Sequence, residues 1–139
     1  MDDQLEANKK IIRDWHALAL DQGKPEEAAA KHLGPYYRQH NPGAADGAEA
    51  YVAFMKWLKQ TYPDFHVDPK RIIAAEGPAG ALPVGEGDYV VLHSHSTRKP
   101  GDRGLAVVDI FRLENGKIVE HWDVVQEVPE KSANNNTMF

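Results

Sequence analysis

The sequence predicts an α+β fold: three N-terminal helices packed on a curved, mostly antiparallel sheet. Three observations carry this. Apolar residues recur at helical spacing through the first half of the chain. In the second half they alternate with polar residues, as strands require. The length, 139 residues, is that of one domain. No repeat or long linker divides the chain, so residues 1–139 are read as one unit.

Leu5, Ile12, Trp15 and Ala19 recur at helical spacing, with Ile11 and Leu18 widening the stripe, and predict a helix over residues 3–22. Gly23 ends it, and Pro25 suits the first turn of a short second helix over residues 26–33. Gly34-Pro35 stops that helix, and residues 36–40 read as extended before the Asn41-Pro42-Gly43 turn. A third helix is expected over residues 47–60, with Asp46 as its cap and Glu49 completing a capping box. Tyr51, Phe54, Met55 and Leu58 form its apolar stripe, and Pro63 marks its end.

Four strands follow, over residues 65–76, 89–98, 105–114 and 117–128. A Gly/Pro/Ala-rich loop over residues 77–87 joins the first pair and has the composition of a lid. Pro100-Gly101-Asp102 joins the second pair, and Glu114-Asn115-Gly116 the third, a strong hairpin signal. The polar tail SANNNTMF is expected to be irregular and to dock by Met138 and Phe139.

Composition excludes several functions. A net charge of −5, with no Lys/Arg run longer than two, argues against a nucleic-acid binder. The absence of cysteine excludes disulfides, thiol catalysis and cysteine-ligated zinc. The acidic, polar N-terminus does not read as a secretory signal, and the apolar runs are far short of a membrane span. A cytoplasmic protein with neither nucleic-acid nor membrane partners is expected.

Strand register decides which side chains meet. With Gly116 in a three-residue loop, Phe111 faces Val119 and Asp109 faces His121, with Asp123 one step on. Folding the preceding hairpin about Gly101 sets His93 opposite Asp109 and His95 opposite Val107. One face then gathers His93, His95, Asp109, His121 and Asp123. The other carries Val108, Ile110, Arg112, Ile118, Glu120, Trp122 and Val124. Carboxylates turned toward a core are costly unless paired, so the first face reads as a pocket lining.

The segment VVDIFRLENGKIVEHWDVVQ, residues 107–126, resembles the closing hairpin of SnoaL-like proteins in the NTF2-like superfamily. YRQHNP (37–42), HSHS (93–96) and the terminal NNNTMF extend the resemblance to the SnoaL-like aldol-condensation group. The resemblance implies an NTF2-like cone with an internal cavity and a homodimer built on the outer sheet face. It also implies that Asp123 matches the acidic general acid/base of the polyketide cyclases, with Asp109 at its partner position.

Asp123, Asp109, His121 and His93 are therefore the candidate catalytic residues. His40, His95, Tyr51, Phe54 and Phe111 are the candidate ligand contacts. Histidine and carboxylate together can remove a proton beside a carbonyl and protonate the resulting alkoxide. This describes a cofactor-independent cyclase, lyase or isomerase acting on a small molecule. Two other readings use the same residues. One is a binding module that holds a small apolar ligand unchanged. The other is a metal site in which His93-x-His95 joins His121 and Asp109.

Overall fold

The computed structural model describes residues 2–77 and 88–139. The lid expected over residues 77–87 therefore lies, except for Gly77, outside the described residues. Helix α1 spans Asp2–His16 and continues into one π-helical turn, Ala17–Asp21. The wider turn is closed by Gln22 N–H donating to Ala17 O at 2.9 Å, and Gly23 ends it at φ +65°. Helix α2 spans Pro25–His32, strand β1 Leu33–Gln39 and helix α3 Ala48–Thr61. Strands β2 (His66–Ala75), β3 (Asp88–Thr97), β4 (Leu105–Glu114) and β5 (Lys117–Glu127) complete the fold.

Helix α3 begins differently from expectation. Gly47, at φ +96°, precedes it without a side-chain cap. Asp46 instead accepts the Gln39 N–H at 2.7 Å and so secures the end of β1. The capping-box expectation fails because that carboxylate is already engaged.

The sheet order is β1-β5-β4-β3-β2. Four strands are antiparallel neighbours, and β1 lies parallel to β5. The helices cover one face. Their contact with the sheet is centred on Ile12, Trp15, Tyr51, Val90, Phe111 and Ile118, all buried. Trp15 stacks on Tyr51 at 5.3 Å and meets the edge of Phe111 at 5.2 Å. Each such buried aromatic is worth about 1.5–3 kcal/mol in area alone. Asn8 pins α1 to β3 through an amide donated to Asp88 Oδ2 at 2.9 Å.

Register departs from expectation in both hairpins. The β4–β5 turn has two residues, Asn115 and Gly116, with φ of +51° and +73°. Positive φ at both positions is the hairpin turn whose twist matches its strands. Glu114 then pairs with Lys117 and Leu113 with Ile118. A bulge at Val119 follows, so Phe111 pairs with His121 and Asp109 with Asp123. The expected pairing is off by two residues. Two is the period of a strand, so Asp109, Phe111, His121 and Asp123 still share the inner face. Ile118 does not follow the expectation: it lies before the bulge and is 0% exposed in the core.

The β3–β4 connection differs by one residue, and there the faces exchange. Leu92 pairs with Asp109, His93 with Val108 and His95 with Ala106. The turn is centred between Pro100 and Gly101 rather than on Gly101. Gly104, at φ +75°, packs close to Ser96 O and His95, and a Cβ there would meet that oxygen at 2.3 Å. Ser94 and Ser96 consequently point inward, and His93 and His95 outward.

Candidate active site

The inner face of the sheet, the end of α1 and one face of α3 enclose a cavity of about 370 Å³. From β4 and β5 it receives Val107, Asp109, Phe111, His121, Asp123 and Val125. These are the inward positions of each strand. Tyr51, Phe54 and Phe111 line it as expected from the sequence. The lining is largely apolar, with Gln39, Asn41, Asp109, His121 and Asp123 gathered where β1 meets β5.

The parallel pairing of β1 and β5 builds this polar end. Gln39 pairs with His121, and His40 N–H donates to His121 O at 3.0 Å. Alternation sends Gln39 and Asn41 inward and His40 outward. His40 therefore lies outside the cavity, 2.7 Å from Glu120 Oε2 and stacked on Trp122 at 4.7 Å. Its expected place as a ligand contact is taken by its two neighbours.

The protonation of His121 follows from its contacts. Gln39 Oε1 accepts the backbone N–H of His40 at 3.1 Å and of Asn41 at 3.0 Å, which fixes the amide's orientation. The same oxygen stands 2.7 Å from His121 Nδ1. An acceptor at that distance requires Nδ1 to be the donor. The other nitrogen, Nε2, is 2.8 Å from Asp109 Oδ1. That contact also needs a proton, on one atom or the other. The pair thus carries one shared proton beside the cavity, as imidazolium and carboxylate or as imidazole and carboxylic acid.

Asp123 is held differently. Both of its oxygens accept Asn41 Nδ2, at 2.9 and 2.8 Å. Asn41 is itself fixed by Gly43 N–H donating to its Oδ1 at 2.8 Å. Asp109, His121 and Asp123 bring potential ligand atoms within 4.8 Å of one another, a set that could also hold a cation. The larger metal set expected from His93 and His95 is not formed, because those two rings lie on the opposite face. There His93 contacts Arg71, and His95 stacks on Phe139 at 4.2 Å. The tail does dock by Phe139, and it docks on these histidines.

Several lining residues carry no signal that the sequence reading used. His16, the last residue of α1, belongs to the wall. Enclosure pushes its pKa below the usual histidine value, against the attraction of Asp109 and Asp21. Its position four residues after Ile12, on the buried stripe, is the sequence signal that would have found it. Three further lining residues hold buried polar atoms without a partner among the described residues: Trp15 Nε1, Tyr51 OH and Ser94 Oγ. Burial pushes the Tyr51 pKa up, which keeps this hydroxyl protonated. An unsatisfied buried group costs about 1–3 kcal/mol, so these three favour a ligand or water with matching polarity.

Three helices packed against a five-stranded mixed sheet make this an α+β fold of the NTF2-like class. The sequence model of the SnoaL-like domain matches residues 12–121, and this chain belongs to that family. Among curated proteins, none matches the sequence. Solved structures show the same fold. A protein from Kribbella flavida provisionally assigned as a ketosteroid isomerase superposes with a TM-score of 0.65 at 22% identity, over 97% of this chain and 89% of its own. A provisionally assigned SnoaL-like polyketide cyclase from Jannaschia sp. gives 0.64 at 17% identity, over 87% and 86%. A provisionally assigned polyketide cyclase from Acidithiobacillus ferrooxidans gives 0.62 at 18%, over 86% and 87%.

Proposed function

We propose that the protein is a cofactor-independent enzyme that moves protons on a small carbonyl compound, as an isomerase or cyclase does. The supporting observation is the 2.8 Å hydrogen bond between Asp109 and His121 beside Asp123, at one end of a largely apolar cavity. Asp123, presented by Asn41, removes a proton from the carbon beside the carbonyl. The Asp109–His121 pair donates its proton toward the oxygen on which negative charge develops. The two groups then return the protons in the reverse sense, at a new carbon for isomerisation or on the alkoxide formed by ring closure. No proton is gained or lost over the cycle. Each well-placed transfer contributes roughly 10²–10⁴-fold in rate.

The test needs no knowledge of the natural substrate. Cyclic and open-chain ketones are incubated with the protein in D2O, and deuterium entry beside the carbonyl is followed by NMR. Acceleration by the wild type that disappears in Asp123→Asn supports the reading. Retention of a ligand with no exchange in any compound would make the protein a binding module instead.

The outer sheet face leaves Ile73, Val108 and Val124 exposed, Val124 at 73%. We infer that a second copy covers this face in a homodimer, consistent with its apolar character.

A further inference from the structure

The cavity has a second end, and its chemistry differs from the first. Arg98, just beyond β3, lines the same cavity as Asp109 and Asp123. It is half-buried. Its guanidinium lies over the Tyr62 ring, 5.4 Å from the centroid, and Tyr62 also lines the cavity. The nearby Asp102 carboxylate accepts the Arg98 backbone N–H at 2.9 Å, not the guanidinium. Among the described residues no carboxylate lies within ion-pair distance of the guanidinium, although its charge helps lower the Asp102 pKa behind the backbone hydrogen bonds that hold that carboxylate. A half-buried cation against an apolar wall is costly to desolvate unless an anion joins it.

The strand pairing sets the distance between the ends. Leu92 is the β3 partner of Asp109. Arg98 lies six residues further along, which at the rise of a strand is about 20 Å of backbone. Between the two ends the wall is made by Leu58, Phe65, Val67, Leu105, Val107 and Val125, with the hydroxyls of Ser94 and Ser96 set among them on β3. The cavity is thus acid/base at one end, mostly apolar in its middle and cationic at the other.

We propose that Arg98 binds a carboxylate on the ligand, so that the substrate class is an apolar oxo acid lying lengthwise in the cavity. A guanidinium seated over the Tyr62 ring can present its fork of N–H donors for two parallel bonds to a planar carboxylate. The oxo end rests on the proton-transfer reading above; the carboxylate end does not depend on it.

Decanoate and decanamide are suitable probes, compared by calorimetric titration into wild type, Arg98→Leu and Asp123→Asn. Wild type is expected to bind decanoate at least tenfold more tightly than decanamide. Arg98→Leu should bring the two to equality, with its melting temperature showing that it remains folded. Asp123→Asn should keep the wild-type preference. The proposal is overturned if wild type shows no preference, if it binds neither probe, or if Arg98→Leu keeps the preference. Loss of deuterium exchange chemistry in every ketone, with the decanoate preference intact, would instead remove the catalytic reading and leave the anion site standing.

Discussion

Asp109 and Asp123 stand directly opposite each other on adjacent strands, yet their partners are unlike. Asp109 is hydrogen-bonded to His121, whereas among the described residues Asp123 is held by the amide of Asn41. Two carboxyl groups in different surroundings can take different roles, one as base and one as part of an acid.

Substitution should separate these roles. Asp123→Asn keeps the shape and the Asn41 contact on one oxygen but removes the carboxylate proposed as the base. Exchange activity is expected to fall by roughly 10²–10⁴-fold, with a melting temperature close to wild type. Asp109→Asn leaves His121 Nε2 without its acidic partner and should also lower activity. Full activity in either variant would refute the role assigned to that residue.

The protonation of His121 can be seen directly. Nitrogen-15 NMR of labelled protein should show Nδ1 carrying a proton, as its contact with Gln39 Oε1 requires. In Gln39→Leu that preference should vanish, because the acceptor at 2.7 Å is gone. A rate loss in kcat larger than the change in KM would mark Gln39 as a positioning residue. An Nδ1 without a proton in the wild type would sink the argument.

The buried ion network on the outer face governs acid stability. Arg112 and Glu120, each 3% exposed, meet at 2.9 Å between Nε and Oε1. Arg112 also donates to Glu114 at 2.5 Å and to Tyr36 OH at 3.0 Å. Burial raises the Glu120 pKa, but its hydrogen bonds from His40 and Arg112 outweigh this and hold it below the usual glutamate value. A lowered carboxyl pKa adds stability above the unfolded value and loses it as pH falls through the folded one. The stability difference between wild type and Glu120→Gln should therefore be largest near neutrality and shrink on acidification. Arg112→Met, which takes away the buried guanidinium partner of Glu120 and leaves that carboxylate His40, should cost about 3–5 kcal/mol in denaturant titrations at pH 7.

Dimerisation is tested at Val124. A charge placed there by Val124→Glu should convert a dimer to a monomer in size exclusion with light scattering. A wild type that runs as a monomer at micromolar concentration would refute the dimer.

The fold was legible because its signals are local. Helical spacing, Gly23, the Asn-Gly turn and alternation in the strands each located an element to within a few residues. The site was legible only where an error in register was even. Asp109, His121 and Asp123 came out together because a two-residue turn plus a bulge differs by two from the assumed loop. His93 and His95 came out wrong because the β3–β4 turn is one residue out of phase. His40 misled for a related reason: β1 pairs with β5, at the far edge of the sheet, and nothing in the local sequence says which of Gln39, His40 and Asn41 turns inward. Arg98 and His16 were missed because a residue at the end of an element joins a site only through the tertiary fold.

The bulge at Val119 also bears on how the chain tolerates change in length. Strand β5 is one residue longer than its partner between the turn and the pocket, and Val119 is that residue. Removing it would leave Leu113 opposite Ile118 and Phe111 opposite His121. Removing a residue between His121 and Asp123 would send Asp123 to the outside. When related sequences are aligned, a one-residue gap therefore belongs at Val119, ahead of the histidine, and alignments that place it later will match the wrong acid.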